Sequence, residues 1–249
     1  MKALPQLTQV KNVQTIFFST AGDLAFAVAR AWLDEIVAAS QKRNAYHVAI
    51  SGGRIARNCF DAALAAARTL EASFAKVHFF WADERCVRPD DPESNFSLAK
   101  EYLLAPLRVP EGQIHRIRGE EPPAFAAAQA EAEICRIAEL NSDGQPVLDL
   151  ILLGMGEDGH VASLFPGELE SDAANRAVYR TVLASKPPPH RITLGYPAIA
   201  AARQVWVLVS GPGKESALRE SLNPTGQTPL ARVLRSRCHT RVLTEVKAG

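Results

Sequence analysis

The stretch Leu148-Asp-Leu-Ile-Leu-Leu-Gly-Met-Gly-Glu-Asp-Gly-His160 decides the fold class of this chain. Its first half is apolar apart from Asp149, which is typical of a parallel strand that is buried on both faces. Its second half is a glycine-rich turn that carries Asp158 and His160. In parallel sheets, functional side chains lie just beyond the carboxyl ends of the strands. The stretch therefore predicts an α/β fold and a candidate site directly after this strand.

Strand and helix patterns alternate along the rest of the chain. Helices are predicted over 22–40, 54–70, 94–104 and 122–140, with a further helix from Lys214. Short β patterns fall at 46–51, 76–81 and 148–153, and further strands are expected near 177–183, 191–195 and 204–210. The alternation predicts a three-layer α/β/α architecture with a mostly parallel, Rossmann-like sheet. Because no repeat or linker interrupts it, we expect a single domain over 1–249.

The composition excludes several classes of function. The 249 residues include 28 Lys and Arg against 27 Asp and Glu, so the formal net charge is +1. A charge so close to zero gives no electrostatic footprint for nucleic acid or an anionic membrane. The four cysteines form no Cys-x-x-Cys pair, and the first residues lack the apolar segment of a signal peptide. We therefore expect a soluble cytoplasmic protein.

The first candidate loop is Ser51-Gly-Gly-Arg54, between a predicted strand and a predicted helix. Paired glycines let consecutive N–H groups converge, and a helix N-terminus adds partial positive charge. Arg54 and Arg57 fall in the first helical turn, where a cation is normally unfavourable. A phosphate bound at the loop would remove this conflict. The alternative is an ordinary tight turn in which Arg57 pairs with Asp61.

The second candidate loop, Ala82-Asp83-Glu84-Arg85, follows the predicted strand at 76–81, and Ser94-Asn95 comes soon after it. A dense group of charges at the carboxyl end of a strand is a site candidate in an α/β sheet. We select Arg85 from this loop because it follows closely on Trp81. The neighbouring Asp90 and Asp91 are expected to belong to a solvated loop instead.

The third candidate loop contains Gly156, Asp158 and His160 on the turn that follows the strand at 148–153. A carboxylate two residues before an imidazole can orient the ring, which then serves as a base near pH 7. Most single histidines are structural. The position beyond a strand and the adjacent Asp158 favour catalysis here.

The sequence contains partial matches to other functional motifs, but the surrounding residues do not complete them. Gly154, Gly156 and Gly159 match the dinucleotide fingerprint, but Pro166-Gly167 would stop the following helix early. Gly211-Pro-Gly-Lys214 lacks the remaining positions of a P-loop, although Lys214 stays a candidate phosphate contact. The six histidines have no metal-binding spacing, and Gly-x-Ser-x-Gly is absent. We therefore expect no metal and no covalent intermediate.

Taken in order, these segments resemble the 6-phosphogluconolactonase branch of the glucosamine-6-phosphate isomerase/6-phosphogluconolactonase family. The resemblance is carried by residues 148–167, Trp81-Ala-Asp-Glu-Arg85 with Ser94-Asn95, and Arg191-Ile-Thr-Leu194. It implies the fold shared with glucosamine-6-phosphate deaminases and ribose-5-phosphate isomerases. It also implies hydrolysis of 6-phospho-D-glucono-1,5-lactone to 6-phospho-D-gluconate in the oxidative pentose phosphate pathway. The resemblance further implies that no cofactor is needed and that the ligand is the phosphorylated sugar lactone. We expect a monomer or homodimer.

The same resemblance implies roles for single residues. His160 is then the general base that activates water, Asp158 holds it, and Arg85 lies near the lactone carbonyl or other substrate oxygens. Gly52, Gly53, Arg191 and Lys214 are implied to hold the phosphate. The further candidates that we assign to substrate or phosphate binding are Ser51, Arg54, Asp83, Asn95 and Gly156. An oxyanion formed at the carbonyl needs such positive or N–H donors. A distant phosphate supplies binding energy that positions the reacting carbon.

One segment departs from the family, which usually reads Ser-Gly-Gly-Ser-Thr-Pro at the first loop, whereas this chain reads Ser51-Gly-Gly-Arg-Ile-Ala56. The hydroxyls of the family's second serine and its threonine are therefore missing. Either the Arg54 guanidinium holds the phosphate in their place, or the phosphate is held less tightly.

Two alternative functions fit the sequence less well. Deaminases of this fold carry Asp-Glu-Tyr and Phe-Asn-Glu-Pro where this chain has Asp83-Glu84-Arg85 and Ser163-Leu-Phe-Pro166, so an acidic residue is missing. A sugar-phosphate sensor fused to a DNA-binding segment is the other alternative. The roughly 20 residues before the first predicted helix leave no room for a helix-turn-helix.

Overall fold

A six-stranded parallel sheet forms the centre of this computed structural model, which describes residues 12–42, 45–70, 73–169 and 174–247. Its strands stand in the order β1-β9-β8-β5-β2-β3. They are β1 (Val13–Phe17), β2 (Tyr46–Ile50), β3 (Val77–Trp81), β5 (Leu150–Gly154), β8 (Gln204–Val209) and β9 (Thr240–Thr244). Strand β5 is buried at four of its five positions, as predicted for a strand covered on both faces.

Helices flank this sheet, and the predicted three-layer α/β/α architecture is confirmed. They are α1 (Ala21–Lys42), α2 (Arg54–Leu70), α3 (Asn95–Ala99), α4 (Pro123–Ile137), α5 (Tyr196–Ala201), α6 (Glu215–Leu222) and α7 (Pro229–Arg235). Helix α1 buries Leu24, Val28, Trp32 and Ile36, which recur every fourth residue and form one apolar face. Among the described helices, none is long and apolar enough to cross a membrane.

A second, antiparallel sheet lies at the edge of the candidate site. Its strands are β4 (Asp83–Arg85), β7 (His190–Leu194) and β6 (Tyr179–Leu183), with β7 in the middle. The segment Asp83–Arg85 was expected to be a loop, and that expectation is wrong. Its charged side chains have low strand propensity, but pairing with β7 supplies backbone hydrogen bonds that override it.

The order of the strands creates a switch point between β2 and β5. After β2 the chain continues to β3 on one side, whereas β5, β8 and β9 lie on the other side. The loops that follow β2 and β5 therefore diverge and leave a crevice at the carboxyl edge of the sheet. The three candidate loops of the sequence analysis all reach this crevice.

Several elements differ from the sequence predictions. The helix expected over 94–104 is α3 followed by a π-helical segment, Lys100–Leu104. The helix expected over 122–140 ends at Ile137, and a 3₁₀ turn, Glu111–Gln113, precedes it. Residues 156–166 form turns rather than the short helix envisaged there. Strands β1 and β9 and helices α5 and α7 had no counterpart in the predictions.

Candidate active site

A cavity of about 390 Å³ occupies the crevice, within the range of small-molecule sites. Its walls come from the loops that follow β2, β3, β5, β8 and β9. Every residue assigned to the site from the sequence lines it, apart from Asp158: Ser51, Gly52, Gly53, Arg54, Asp83, Arg85, Asn95, Gly156, His160, Arg191 and Lys214. Segments as distant in sequence as the first and third candidate loops thus meet at one place.

Asp158 contacts the His160 ring from outside the cavity wall. Its Oδ1 atom lies 2.5 Å from His160 Nδ1 and also accepts a hydrogen bond of 3.1 Å from the His160 backbone N–H. Partial burial opposes ionisation of Asp158, but the interactions with His160 outweigh it and hold the pKa of this carboxyl below its ordinary value. The pair fixes the orientation of the imidazole, whose side chain is 30% exposed.

Gly156 is required by the position of the His160 ring. A Cβ atom at residue 156 would collide with His160 Nδ1 and Cε1 and would approach Asp158 Oδ1 to 2.9 Å. The backbone N–H of Gly156 also donates to the His160 carbonyl at 2.9 Å. The turn can therefore bring the imidazole back over its own backbone only with glycine at this position.

The first loop combines a close approach with an unusual backbone angle. A Cβ atom at Gly52 would collide with the side-chain amide of Asn95, and Gly53 has a φ of 93°. The Ser51 hydroxyl is buried and has no hydrogen-bond partner among the described residues. Arg57 does not enter the cavity, because its guanidinium stacks on the Tyr102 ring at 4.3 Å. The expected alternative pairing of Arg57 with Asp61 is not the contact observed.

Two cations, Arg54 and Lys214, converge at one end of the cavity. Burial lowers the pKa of Lys214, and the nearby positive charge of Arg54 lowers it further, against the opposing effect of Glu245 and Glu157. Glu245 accepts hydrogen bonds from the Gly211 N–H at 2.9 Å and from the hydroxyl of the preceding serine at 3.1 Å. An anion bound between Arg54 and Lys214 would stabilise both charges.

Asp83 and Asn95 belong to a buried hydrogen-bond network. Ser163 Oγ donates to Asp83 Oδ2 at 2.7 Å, and Asn95 Nδ2 donates to the Asp83 carbonyl at 2.8 Å and to Oδ1 at 3.3 Å. The network joins the second candidate loop to the third across 80 positions of sequence. Both residues line the cavity, but these contacts also give them a structural task that the sequence did not reveal.

Glu84 supports the candidate site, and it was not among the residues selected from the sequence. Its carboxylate is 2% exposed and accepts hydrogen bonds from the Ser94 hydroxyl and from the backbone N–H groups of Arg85, Asn95 and Phe96, at 2.7–3.0 Å. Burial raises the pKa of Glu84 from 4.5 to about 7, although these donors act in the opposite direction. Glu84 thus holds the start of α3, including Asn95, against β4.

The part of the cavity wall formed by β4 and β7 carries two arginines. Arg85 and Arg191 are register partners on β4 and β7. Arg85 Nη1 donates to the Glu93 carbonyl at 2.6 Å and lies 3.1 Å from its carboxylate, whereas Arg191 Nε donates to the Pro188 carbonyl at 3.1 Å. Burial lowers the pKa of Arg191, and the positive charge of Arg85 adds to this effect. Two positive charges placed side by side favour the binding of an anion next to them.

Other features of the site and its surroundings had weaker signals in the sequence. The Phe165 ring lies 4.9 Å from the His160 ring and 5.8 Å from the Arg191 guanidinium, so it packs against both. The sequence pattern marks Phe165 only as part of the segment 163–166, and Glu245 follows a strand that was not predicted.

Asp90 pairs with Arg88 at 3.0 Å in an exposed loop, as expected. Within the described ranges, no group of three His, Cys, Asp or Glu is arranged to hold a metal.

Comparison with known proteins identifies the family of this chain. The model of the glucosamine-6-phosphate isomerases/6-phosphogluconolactonase family matches residues 19–243, which contain all the residues assigned to the site. The chain belongs to this family. A family member from Aggregatibacter actinomycetemcomitans, named 6-phosphogluconolactonase, is 36% identical over 188 residues, 75% of this chain and 77% of that protein.

Solved structures of the family extend the similarity to the whole fold. The 6-phosphogluconolactonase from Trypanosoma brucei has a TM-score of 0.79 at 27% identity and covers 97% of each chain. A monomeric glucosamine-6-phosphate deaminase has a TM-score of 0.77 at 19% identity, covering 93% of this chain and 96% of its own. The second likeness concerns the fold alone, so the resemblance to the lactonase branch is the more informative one.

Proposed function

We propose that this chain hydrolyses 6-phospho-D-glucono-1,5-lactone to 6-phospho-D-gluconate in the oxidative pentose phosphate pathway. The observation that carries the proposal is the Asp158–His160 pair, whose ring faces a cavity lined by Arg54, Arg85, Arg191 and Lys214. A base beside a cationic cavity suits a substrate that has both an ester carbonyl and a phosphate. The relatives named 6-phosphogluconolactonase support the same activity.

His160 acts as the general base in this proposal. Because Nδ1 donates to Asp158, the lone pair of Nε2 is left to accept a proton from water. The resulting hydroxide adds to the lactone carbonyl carbon, and the C=O bond becomes a C–O⁻ bond. When this intermediate collapses, the bond from the carbonyl carbon to the ring oxygen breaks. The imidazolium returns its proton to that oxygen, which yields the open-chain acid.

The cations have separate tasks in the proposed reaction. Arg85 stabilises the negative charge that develops on the carbonyl oxygen. Arg54, Arg191 and Lys214 hold the phosphate together with the N–H groups of the Gly52–Gly53 loop and the unpartnered hydroxyl of Ser51. The Arg54 guanidinium takes the place of the hydroxyls that the family usually has at this loop.

We also propose that the chain works as one lactonase domain in the cytoplasm, as a monomer or homodimer, without a metal or organic cofactor. Its four cysteines are free, which is consistent with a reducing compartment. The chemistry derived above needs only water and side chains.

The decisive experiment mixes the purified protein with freshly generated 6-phosphogluconolactone and follows acid release in a pH-stat. We expect release well above the spontaneous rate, and a loss of about 10²–10⁴-fold in kcat for His160→Ala. Near-normal turnover by this variant would remove His160 from the mechanism. Glucosamine 6-phosphate is tested in parallel, and release of ammonia without lactone hydrolysis would assign the chain to the deaminase activity instead.

A further inference from the structure

A second cavity, of about 820 Å³, lies next to the candidate active site and is the larger of the two. Its walls are the segment Phe96–Val109, the segment Glu111–Arg118 and helix α4. Helix α3 contributes to both cavities, because Asn95 lines the active-site cavity and Phe96 lines this one. We call it the basic cavity, after the charges described next.

Positive charge is concentrated on the wall of the basic cavity. The chain as a whole has a net charge of +1, so such a concentration is a local property of the fold. Two carboxylates, Glu111 and Glu133, line the cavity. The cations that line it are Lys100, Arg108, Arg116, Arg118 and Arg136.

Only some of these cations are used by the protein itself. Arg116 binds Glu120 through two hydrogen bonds of 2.6 and 2.8 Å, and Arg136 binds Glu133 through two of 2.9 and 3.0 Å. Among the described residues, no carboxylate forms an ion pair with the remaining three, which are Lys100, Arg108 and Arg118. The basic cavity thus presents three cations that are available to an anionic ligand.

The inner part of the basic cavity is apolar. Val109, Ile114 and Ala130 line it and are only partly buried, so they present apolar surface to the cavity, whereas Leu104 and Ala126 are buried behind them. A ligand that was only a small inorganic anion would leave this surface without a partner. A ligand with a flat organic ring would cover it and gain from removing it from water.

We propose that the basic cavity binds a nucleotide: a ligand whose phosphates meet Lys100, Arg108 and Arg118 and whose base covers the apolar surface around Val109 and Ile114. Cavities of roughly 300–1,000 Å³ accommodate such ligands. Guanidinium groups suit phosphate oxygens because their N–H donors match them in a bidentate fashion. The site is separate from the phosphate contacts at Arg54 and Lys214, which line the other cavity.

The test uses ATP as the probe in isothermal titration calorimetry at constant ionic strength, with tripolyphosphate and adenosine as its separate halves. The variant is the double substitution Arg108→Gln with Arg118→Gln, which removes both charges and keeps polar side chains with N–H donors. Arg68→Gln, an exposed arginine on α2 outside both cavities, is the matched control. Lys214→Ala reports on binding in the active-site cavity.

We expect one ATP per chain, with at least tenfold weaker binding by the double variant and unchanged binding by Arg68→Gln and Lys214→Ala. ATP should also bind more tightly than either half. The proposal is overturned if ATP does not bind, or if Lys214→Ala loses binding while the double variant keeps it. If Arg68→Gln weakens ATP binding as much as the double variant does, ATP is attracted by positive charge in general and the proposal fails. If tripolyphosphate binds as tightly as ATP, the apolar surface has no role in binding and the proposal fails as well.

Discussion

Arg85 and Arg191 face each other across the β4–β7 pair, which places two like charges side by side at one wall of the candidate active site. Like charges directly opposite each other in a sheet are destabilising. A strand pair that served only the fold would gain from a neutral residue at one of these positions. Glu93 lies 3.1 Å from Arg85 and balances its charge, whereas among the described residues no carboxylate forms an ion pair with Arg191. The arrangement is explained if the substrate supplies a negative charge to Arg191.

Arg191→Ala should weaken binding of the phosphorylated lactone by about 10- to 150-fold, because a charge-assisted contact to the phosphate is lost. Non-phosphorylated gluconolactone should be almost unaffected. Arg85→Ala should instead lower kcat by about 10²–10³-fold for both lactones, because it is assigned to the carbonyl. Steady-state kinetics with the two substrates checks both expectations. If Arg191→Ala harms both lactones equally, Arg191 acts at the carbonyl or on the fold.

Gly156→Ala should reduce kcat severely and leave the protein folded. The added methyl group would collide with the His160 ring, which has to turn away from its position beside Asp158. Gly112→Ala is the matched control, because a Cβ there meets nothing within 4 Å. Kinetics and circular dichroism are measured for both variants. Wild-type activity in Gly156→Ala would show that the observed orientation of His160 is not the catalytic one.

Arg54→Ala should raise KM for the phosphorylated lactone and reduce the thermal stabilisation that inorganic phosphate gives. Without phosphate, its stability should equal or exceed that of the wild type by about 0.3–1 kcal/mol, since a cation leaves a helix N-terminus. Lys214→Ala should behave alike toward phosphate. The control is Arg57→Ala, one turn further along α2, whose guanidinium stacks on Tyr102. Thermal melts with and without phosphate measure the difference, which ligand linkage predicts. An unchanged phosphate effect in Arg54→Ala would place this side chain in solvent.

Glu84→Gln should destabilise the fold by about 1–3 kcal/mol, because the amide NH₂ can accept from none of the donors that the carboxylate serves. It should also change the pH dependence of stability. The folded-state pKa of Glu84 is raised to about 7, so its contribution is fully present below about pH 4.5 and is lost as the pH rises through 7. Denaturant unfolding between pH 4.5 and 8 should show this decline in the wild type and not in the variant. Parallel curves for the two proteins would contradict the assignment.

The long regular elements were predictable because their signals are local. Helix α2 begins at Arg54 directly after Gly53, whose φ of 93° ends the preceding loop, and it has the predicted bounds 54–70. Strand β5 is recognisable as an apolar run that ends in glycine. In contrast, the triplet Asp83–Arg85 becomes a strand only because β7 lies beside it. Tertiary pairing of this kind leaves no trace in local composition.

In the candidate site, too, some features were predictable from the sequence and others were not. Residues of the glycine-rich turns could be selected from sequence, and their roles stay predictions. The contacts that hold them could not be selected, because Ser163 and Asp83 are 80 positions apart and meet only in the folded chain. Glu84 has no sequence signal for burial, since an acidic residue between two charged neighbours is typical of an exposed loop. Its burial depends on the backbone donors of residues 94–96, which come later in the chain.

Strand β9 lies between β1 and β8, so a segment far along the chain joins β1 to the rest of the sheet. A nascent chain that ends at residue 239 has no neighbour to offer β1, whose described partner is β9. It also lacks Glu245, which holds the Gly211 turn next to Lys214. The active-site cavity is therefore completed only when residues 240–245 join the fold, although the turn at 156–160 comes much earlier in the chain.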